Sequence, residues 1–411
     1  MGAKMMHINR ILSSLSGSST DDEIILAIDY IRSHFPSDAK VSAELAQILV
    51  ESGTKEDRSD KFTADVASTG GPSSLSTLLG PLFLQAAGAI VPKVGVPGRP
   101  AGGIDCLAQI KGYKTSLNKK EVNDILSSTG YAHFLADGDF VPLDGRMFKL
   151  RQLHEAQNVP TLVVASLLAK KIAIGVRYIG LDVRVSNYGN FGGDWSSAQR
   201  NALFFHETAN ILSLKVMPVL TNNNFPYQPY IGRRDALVAL DDIFSEITSA
   251  WLSKHLYTCK NIALSCVPSS ARETLSRVSA VQLRHFFDQN LIAQGGTPNE
   301  FRDIVKATRD QHFREVRAKR EGFVYYPLSQ IRNVLVHWQN NYQNEYNPFP
   351  DPVGLILRKC PGEWVGQGQV IATVRVEEEI IDTVMNEIGG LIENPLPYPK
   401  GLEIEGVWID G

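Results

Sequence analysis

No run of the chain approaches the roughly 18 consecutive apolar residues that a membrane-spanning helix requires. Neither sign of charge dominates: 41 basic residues stand against 44 acidic ones, a net −3. That balance supplies no basic face for nucleic acid and no charged face for a membrane surface. Cysteine is scarce, four in 411 residues. Cys259 and Cys266 lie too far apart in sequence for a metal-type pair, and Cys106 and Cys360 stand alone. Such thin use of cysteine fits a reducing compartment. There is no internal repeat and no low-complexity tract. The first residues are interrupted by charged and polar side chains and do not read as a secretory leader. The expectation is a cytoplasmic protein that partners neither nucleic acid nor membrane.

What is present is an ordinary enzyme-like composition, 43% hydrophobic and 21% charged, with length enough for two or three domains and a large core. The most informative stretch runs from Ala64 to Leu79. Its start, Phe62 to Ala67, reads as a short buried strand. Ser68-Thr69-Gly70-Gly71-Pro72-Ser73-Ser74 is a turn of hydroxyls and glycines. Leu75, Leu78, Leu79, Leu82 and Phe83 then recur at helical spacing, predicting a helix to about Ala87. A strand, glycine turn and helix can hold a phosphate, because free N–H groups and the helix dipole point at the anion and glycine lets the backbone approach. The same sequence also describes an ordinary helix cap.

The rest alternates in the same way. Residues 1–52 read as helices, with Ser18-Ser19-Thr20 capping one that Pro36 ends. Gly88 to Val96 is a second strand. Pro97-Gly98-Arg99-Pro100-Ala101-Gly102-Gly103 is a second glycine-rich turn, before a helix from about Ile104 to Ile110. Arg146 to Lys171 is largely helical, interrupted near Pro160. Val176 to Val185 is a strong strand, followed by a third glycine-rich loop, Asn187 to Asp194, and a helix from Ser196 to Leu214. Val216 to Thr221 is a strand, Asp235 to Leu256 a helix, Lys260 to Cys266 a strand, and Ser269 to Gln294 mostly helix. This alternation predicts a doubly wound α/β domain, whose turns collect at the C-terminal edge of the sheet. From about Glu321, short strands at Gly322, Val353–Leu357, Gln369–Val376 and Leu402–Trp408 predict a small β-rich domain.

A second constellation is Arg151, Ser166 and Lys170. Ser166 and Lys170 are four apart, so a helix places them on one face among apolar neighbours. Lys170-Lys171 can be a solvated helix end. Alternatively, the trio is a polar cluster in an apolar pocket, with Arg and Lys on carbonyl oxygens of a planar ligand and Ser adding a neutral hydrogen bond.

In this order the motifs resemble those of the thymidine/pyrimidine-nucleoside phosphorylase family, whose fold is shared with anthranilate phosphoribosyltransferase. The family's D-K-H-S-T-G-G and its following T-S pair are matched by Asp65-Val66-Ala67-Ser68-Thr69-Gly70-Gly71 and Ser76-Thr77. Its S-G-R-G and T-G-G run is matched by Pro97 to Gly103. Its A-L-R and A-S-x-L-x-K-K run is matched by Lys149-Leu150-Arg151 and Ala165 to Lys171. Its D-V-K-V-G-S-G-A-F is matched, with one extra residue, by Asp182 to Phe191. Asp351-Pro352-Val353-Gly354 and the Gly366-Gln367-Gly368 turn resemble its C-terminal domain.

The resemblance implies an all-α lobe from residues 1–52 and 149–175, and an α/β lobe from 62–148 and 176–320 across a cleft. A C-terminal α+β domain spans 321–411. It implies transfer of a pentosyl group from a pyrimidine nucleoside to inorganic phosphate, with no other cofactor and no metal, in a homodimer formed through the α lobe. Arg151, Ser166 and Lys170 would hold the base, Arg151 and Lys170 acting in catalysis. Ser68, Gly70, Gly71, Ser76 and Thr77 would hold phosphate. On the phosphate side the family's signature lysine is Val66, the serine before G-R-G is Pro97 and a threonine is Ile104, while the adjacent histidine, which in the family lies by the base, is Ala67. Losing one charge-assisted hydrogen bond costs about 1.5–3 kcal/mol, roughly 10–150-fold in binding. Arg99, Lys93, Ser73 and Ser74 are candidate substitutes, and His154 is one for the histidine. A phosphoribosyltransferase or hydrolase on the same fold, and an inactive nucleoside-binding homologue, are the alternatives.

Overall fold

The computed structural model describes residues 2–69, 71–135, 139–187, 191–312, 314–398 and 407–408. Three helices open the chain, α1 (Gly2–Ser14), α2 (Asp21–His34) and α3 (Ala39–Glu51). The expected cap is present: Thr20 accepts from the Glu23 backbone at 3.3 Å while Glu23 accepts from Thr20 at 2.7 Å. Alternation then follows, through β1 (Ala64–Ser68), α4 (Ser76–Ala86), β2 (Val91–Gly95), α5 (Gly103–Leu107), α6 (Lys119–Thr129) and β3 (Tyr131–Leu135). Helices α7 (Pro142–Leu153) and α8 (Pro160–Ala173) intervene before β4 (Tyr178–Val185), α9 (Trp195–Ile211) and β5 (Lys215–Asn222). The strand β6 (Tyr230–Ile231) leads into five helices, α10 (Arg233–Phe244), α11 (Ala250–Cys266), α12 (Ser269–Ser276), α13 (Ala280–Ala293) and α14 (Pro298–Asp310). The C-terminal part contains β7 (Arg314–Arg317), β8 (Gly322–Phe323), α15 (Leu328–Tyr342), β9 (Val353–Leu357), β10 (Trp364–Val365), β11 (Val370–Val376), α16 (Ile381–Ile392) and β12 (Val407–Trp408).

The fold is α/β. Strands β1, β4 and β5 pair in parallel, as do β2 and β3. A parallel bridge between Thr63 and Ile90 joins the two sets, so strands run β3-β2-β1-β4-β5. Helices cover both faces, as a parallel sheet demands. One apolar core joins α1–α3, α7, α8 and α9 to β4 and β5, while a second lies among β1, α4, α10, α11 and α13. A third fills the C-terminal part, where β6, β9, β11 and β7 form an antiparallel sheet under α15 and α16.

Two sequence expectations in α10 and α11 are corrected. Lys260 to Cys266 is not a strand but the last two turns of α11. Leu252, His255, Cys259, Ile262, Ala263 and Cys266 are its buried residues, a spacing of three and four that wins over the short apolar run. The helix expected over Asp235 to Leu256 is two helices, broken where Glu246 takes φ 58°. The interruption expected near Pro160 is present: α7 ends at Leu153 and Pro160 opens α8, where the first turn has no need of its N–H. Of the strand expected at Leu402–Trp408, residues 402–406 lie outside the described residues. Val407 and Trp408 pair antiparallel with β5, extending the α/β sheet and not the C-terminal one.

Candidate active site

Helices α7 and α8 face the C-terminal ends of β1 and β2 across a cleft. Two adjoining cavities occupy it, of about 150 Å³ against the sheet and about 180 Å³ against the helices. Gly95, Val96, Arg99, Leu167 and Lys170 line both. The two glycine-rich turns therefore do meet one crevice.

The hydroxyl-and-glycine turn forms the floor of the sheet-side cavity. Ser68, Thr69, Gly71, Ser74 and Thr77 line it, while Gly70 lies outside the described residues. Gly71 has φ 120°, and a Cβ there would sit 2.8 Å from Asn223 Nδ2 and 3.0 Å from Arg184 Nη1. Only glycine meets both the dihedral and the space. Ser76 is placed differently. It is buried outside the cavity lining, donates to Asp182 Oδ2 at 2.7 Å and accepts from Arg184 Nη2 at 2.9 Å. Ser73 is likewise a structural contact, its hydroxyl accepting from Tyr227 N at 3.1 Å. The expectation that free N–H groups open α4 toward an anion needs revision for two residues. Leu75 N–H donates to His255 Nε2 at 2.9 Å and Ser76 N–H to Ser74 Oγ at 3.1 Å. Side chains, more than the helix terminus, must make this cradle.

Those side chains are cationic. Lys93, Arg99, Lys170, Lys171 and Arg184 all line the sheet-side cavity. Asp65, fully buried on β1, pairs with Lys93 at 2.8 Å and with Lys171 of α8. Burial raises the Asp65 pKa, but the two ammoniums outweigh it and hold it down to about 2. Burial lowers the pKa of Lys93 despite Asp65. Lys93 also donates to the Val66 carbonyl at 2.6 Å, so a lysine from β2 reaches the strand whose signature lysine is missing. Val66 itself is buried against α4, where a Cβ on Gly80 would lie 2.7 Å from its own. Arg184 packs on Asp182 at 2.7 Å, and its backbone N–H donates to Thr69 Oγ1 at 2.9 Å. Arg99 is half-buried at the junction of the two cavities. Its loop is tied by Asp105, which accepts from Gly98 N at 2.8 Å and pairs with Arg233 at 3.2 Å. Burial pushes the Asp105 pKa up to about 6.

The helix-side cavity brings Arg151, Ser166 and Lys170 together, with Phe148, Gln157 and Asp144. Arg151 is 3% exposed and donates to the carbonyls of Leu162 at 3.1 Å and Gln157 at 3.0 Å, leaving Nε without a partner among the described residues. Lys170 Nζ donates to Ser166 Oγ at 2.9 Å and pairs with Asp144, whose other oxygen is buried and has no partner among the described residues. The polar-cluster reading therefore replaces the solvated helix end. The adjacent lysines take different partners, Lys170 pairing with Asp144 of α7 and Lys171 with Asp65 of β1, and Lys170 alone of the two reaches both cavities. His154 caps α7 and lines neither cavity.

Sequence reasoning missed Asp65, Lys171, Arg184 and Asp144 as site residues, although all but Asp144 stand inside quoted motifs. It also missed His133 on β3, which lines the sheet-side cavity. An isolated His in Y-A-H-F-L carries no motif, and only the strand order brings it to the cleft. Among the described residues, no group of three or more His, Cys, Asp or Glu side chains could hold a metal ion, and no helix is long and apolar enough to cross a membrane.

The arrangement sets a cation-lined cradle of hydroxyls and glycine beside a second pocket that holds Arg151, Ser166 and Lys170. The sequence is similar to pyrimidine-nucleoside phosphorylases. It is 28% identical to that of Geobacillus stearothermophilus over 372 residues, 84% of this chain and 82% of the relative. It is 24% identical to that of Staphylococcus epidermidis over 365 residues, 85% of this chain and 83% of the relative. The resemblance read from the motifs thus holds across most of the chain. No family model matches. Among solved structures, anthranilate phosphoribosyltransferase from Thermus thermophilus aligns at TM-score 0.49 with 11% identity, over 74% of this chain and 93% of that one. The Saccharomyces cerevisiae anthranilate phosphoribosyltransferase aligns at TM-score 0.45 with 10% identity, over 73% and 91%.

Proposed function

We propose that the protein is a pentosyltransferase that cleaves a pyrimidine nucleoside with inorganic phosphate, giving the free base and a pentose 1-phosphate. The observation that carries this reading is the continuity of the two cavities: the Arg151–Ser166–Lys170 cluster and the cation-lined hydroxyl cradle share one wall. A nucleoside laid across that wall puts its base against the helices and its C1′ toward the cradle. As the glycosidic bond stretches, negative charge grows on the leaving base, and Arg151 and Lys170 stabilise it while Ser166 fixes its orientation. Phosphate among Ser68, Gly70, Gly71, Thr77, Arg99 and Lys93 is held as the nucleophile. Ser76 acts through Asp182 and Arg184 in this arrangement. Inorganic phosphate is the only co-substrate, with no resident cofactor or metal. A homodimer through the α lobe is supported by exposed apolar side chains on its packed helices, Met6 on α1, Leu26 on α2 and Leu153 on α7.

The test is a product assay with uridine and thymidine. Cleavage that requires phosphate and yields pentose 1-phosphate upholds the reading. Phosphate-independent cleavage makes the enzyme a hydrolase, pyrophosphate-coupled synthesis makes it a phosphoribosyltransferase, and base binding without turnover makes it a binding protein. In the active case, Lys170→Ala lowers kcat by about 100–1000-fold, the scale of losing one preorganised charge-stabilising group. A folded Lys170→Ala protein of normal activity would remove the base-site assignment.

A further inference from the structure

His133 is the polar side chain of the cleft for which neither the motifs nor the proposed reaction gives a use. It lies on β3, in register with Lys93 on β2, and lines the sheet-side cavity at 1% exposure. Its surroundings are built to hold it. Gln294, which caps the C-terminus of α13, clamps its backbone on both sides, accepting from His133 N at 2.8 Å and donating to His133 O at 2.9 Å. Asn290 donates to the Tyr131 carbonyl at 2.9 Å and to Gln294 Oε1 at 2.9 Å. The ring is packed so closely that a Cβ on Gly103 would fall 2.7 Å from its Cε1, and one on Gly95 would fall 3.2 Å from its Nε2.

The hydrogen bonding decides which ring nitrogen carries the proton. His133 Nδ1 lies 3.0 Å from the Tyr131 hydroxyl. That hydroxyl is buried, stays protonated because burial holds its pKa well above the usual range, and has no other partner among the described residues. A buried O–H donor must be satisfied, so Tyr131 donates to Nδ1. The proton of the neutral imidazole then sits on Nε2, the nitrogen left for the cavity. The ring stays neutral because burial first, and Lys93 and Lys171 next, lower its pKa well below the usual range, with Asp65 opposing.

We infer that His133 is an anion-binding residue of this cleft, its Nε2–H donating to an oxygen of the phosphate co-substrate alongside Lys93 and Thr77. The inference rests on the phosphorolytic reading. It gives the cradle a neutral donor on a rigid strand, on the side where Val66 leaves the expected lysine absent. A donor of this kind binds phosphate without changing charge near neutral pH.

The experiment uses the full-length protein and inorganic phosphate as probe, followed by calorimetry and by ¹⁵N shifts of labelled histidine. The wild type should show His133 protonated on Nε2 alone from pH 6 to 8, with that signal moving on phosphate addition. His133→Leu should weaken phosphate binding by about 10–100-fold, as for one hydrogen bond to a charged acceptor, with base affinity unchanged. His133→Gln, whose amide can present an N–H nearby, should recover most of that loss, and Tyr131→Phe should free the tautomer and weaken phosphate binding without removing the ring. If the wild type binds phosphate and His133→Leu binds it equally well, or if Nδ1 carries the proton, the role of His133 falls and the phosphorolytic reading stands. If the wild type binds no phosphate at all, both fall together.

Discussion

Asp65 sets the charge balance of the cleft. One carboxylate, fully buried, faces two buried ammoniums, Lys93 from the neighbouring strand and Lys171 from the opposing helix. Breaking such a group by removing its anion costs more than the ion pairs themselves are worth, because the lysines stay buried without compensation. Asp65→Asn should therefore lower the unfolding free energy by about 3–5 kcal/mol in urea titrations at neutral pH. The pH dependence has a definite sign. The folded-state pKa is lowered from 3.8 to about 2, so the unfolded chain binds the proton more readily. The stabilisation is complete above the unfolded value and is lost as pH falls toward the folded one. Between pH 5 and pH 3 the wild type should lose about 1 kcal/mol more stability than Asp65→Asn, part of a total near 2 kcal/mol. Parallel acid profiles of the two proteins would show that Asp65 is not held ionised by its neighbours. At this scale the sequence was readable for Ser166 and Lys170, whose spacing of four puts them on adjoining turns of α8, while Arg151 of α7 joined them through the motif resemblance. Asp65 stood in the motif, but its partners lie 28 and 106 residues away. No local pattern announces such pairs.

The elements that matter most are one turn and one helix. Helix α8 has its N-terminus at Pro160 and carries Ser166, Lys170 and Lys171. Successive residues on a helix point about 100° apart, which is why the neighbouring lysines pair with different carboxylates, Lys170 with Asp144 and Lys171 with Asp65. That split needed the position of β1, and the sequence left it open. The turn after β1 was legible as a hydroxyl-and-glycine connection between strand and helix. What could not be read was where its hydrogen bonds go, since His255 of α11 takes the Leu75 N–H from 180 residues away. The misreading of 260–266 has a related cause, because a short apolar run fits a strand or a buried helix until its length and cap are known. The turn also makes a prediction. Gly71→Ala places a side chain at φ 120° and presses a Cβ on Asn223 and Arg184. Strain of this kind costs about 1–3 kcal/mol, and relief by moving Arg184 would disturb the cradle. Gly71→Ala should melt at a lower temperature and bind phosphate at least about tenfold more weakly, the loss of one charge-assisted contact. Wild-type melting and phosphate affinity together would remove Gly71 and Arg184 from the proposed site.

Across the whole molecule, the cleft is framed by three parts of the chain. The α and α/β parts meet near the end of α8, where Glu56 N–H donates to the Ala173 carbonyl at 2.8 Å and Thr63 Oγ1 to the Gly175 carbonyl at 2.8 Å. The Lys171–Asp65 pair bridges them one turn deeper. The third part acts on the loop that carries Arg99. Gln339 of α15 donates to the Pro100 carbonyl at 3.2 Å, Gln109 donates to the Phe349 carbonyl at 2.7 Å, and Arg233 joins the Arg99 and Pro350 carbonyls at 3.1 and 2.6 Å. The sequence showed a β-rich C-terminal part by its short strands and turns. It could not show that α15 reaches the glycine-rich loop, a contact spanning 239 residues. On the proposed reading, this contact gives the C-terminal part a role in phosphate binding that does not require it to touch substrate. Gln339 is buried but lies outside the apolar core under α15, so removing its amide should loosen the loop without unfolding that core. Gln339→Ala should raise the phosphate KM about 3–10-fold, the scale of one neutral hydrogen bond, with kcat and the nucleoside KM close to wild type. Steady-state kinetics with phosphate varied at saturating uridine separates these parameters. An unchanged phosphate KM would mean that the Arg99 loop holds its shape without α15, whereas a fall in kcat alone would mean that the brace acts on closure and not on anion binding.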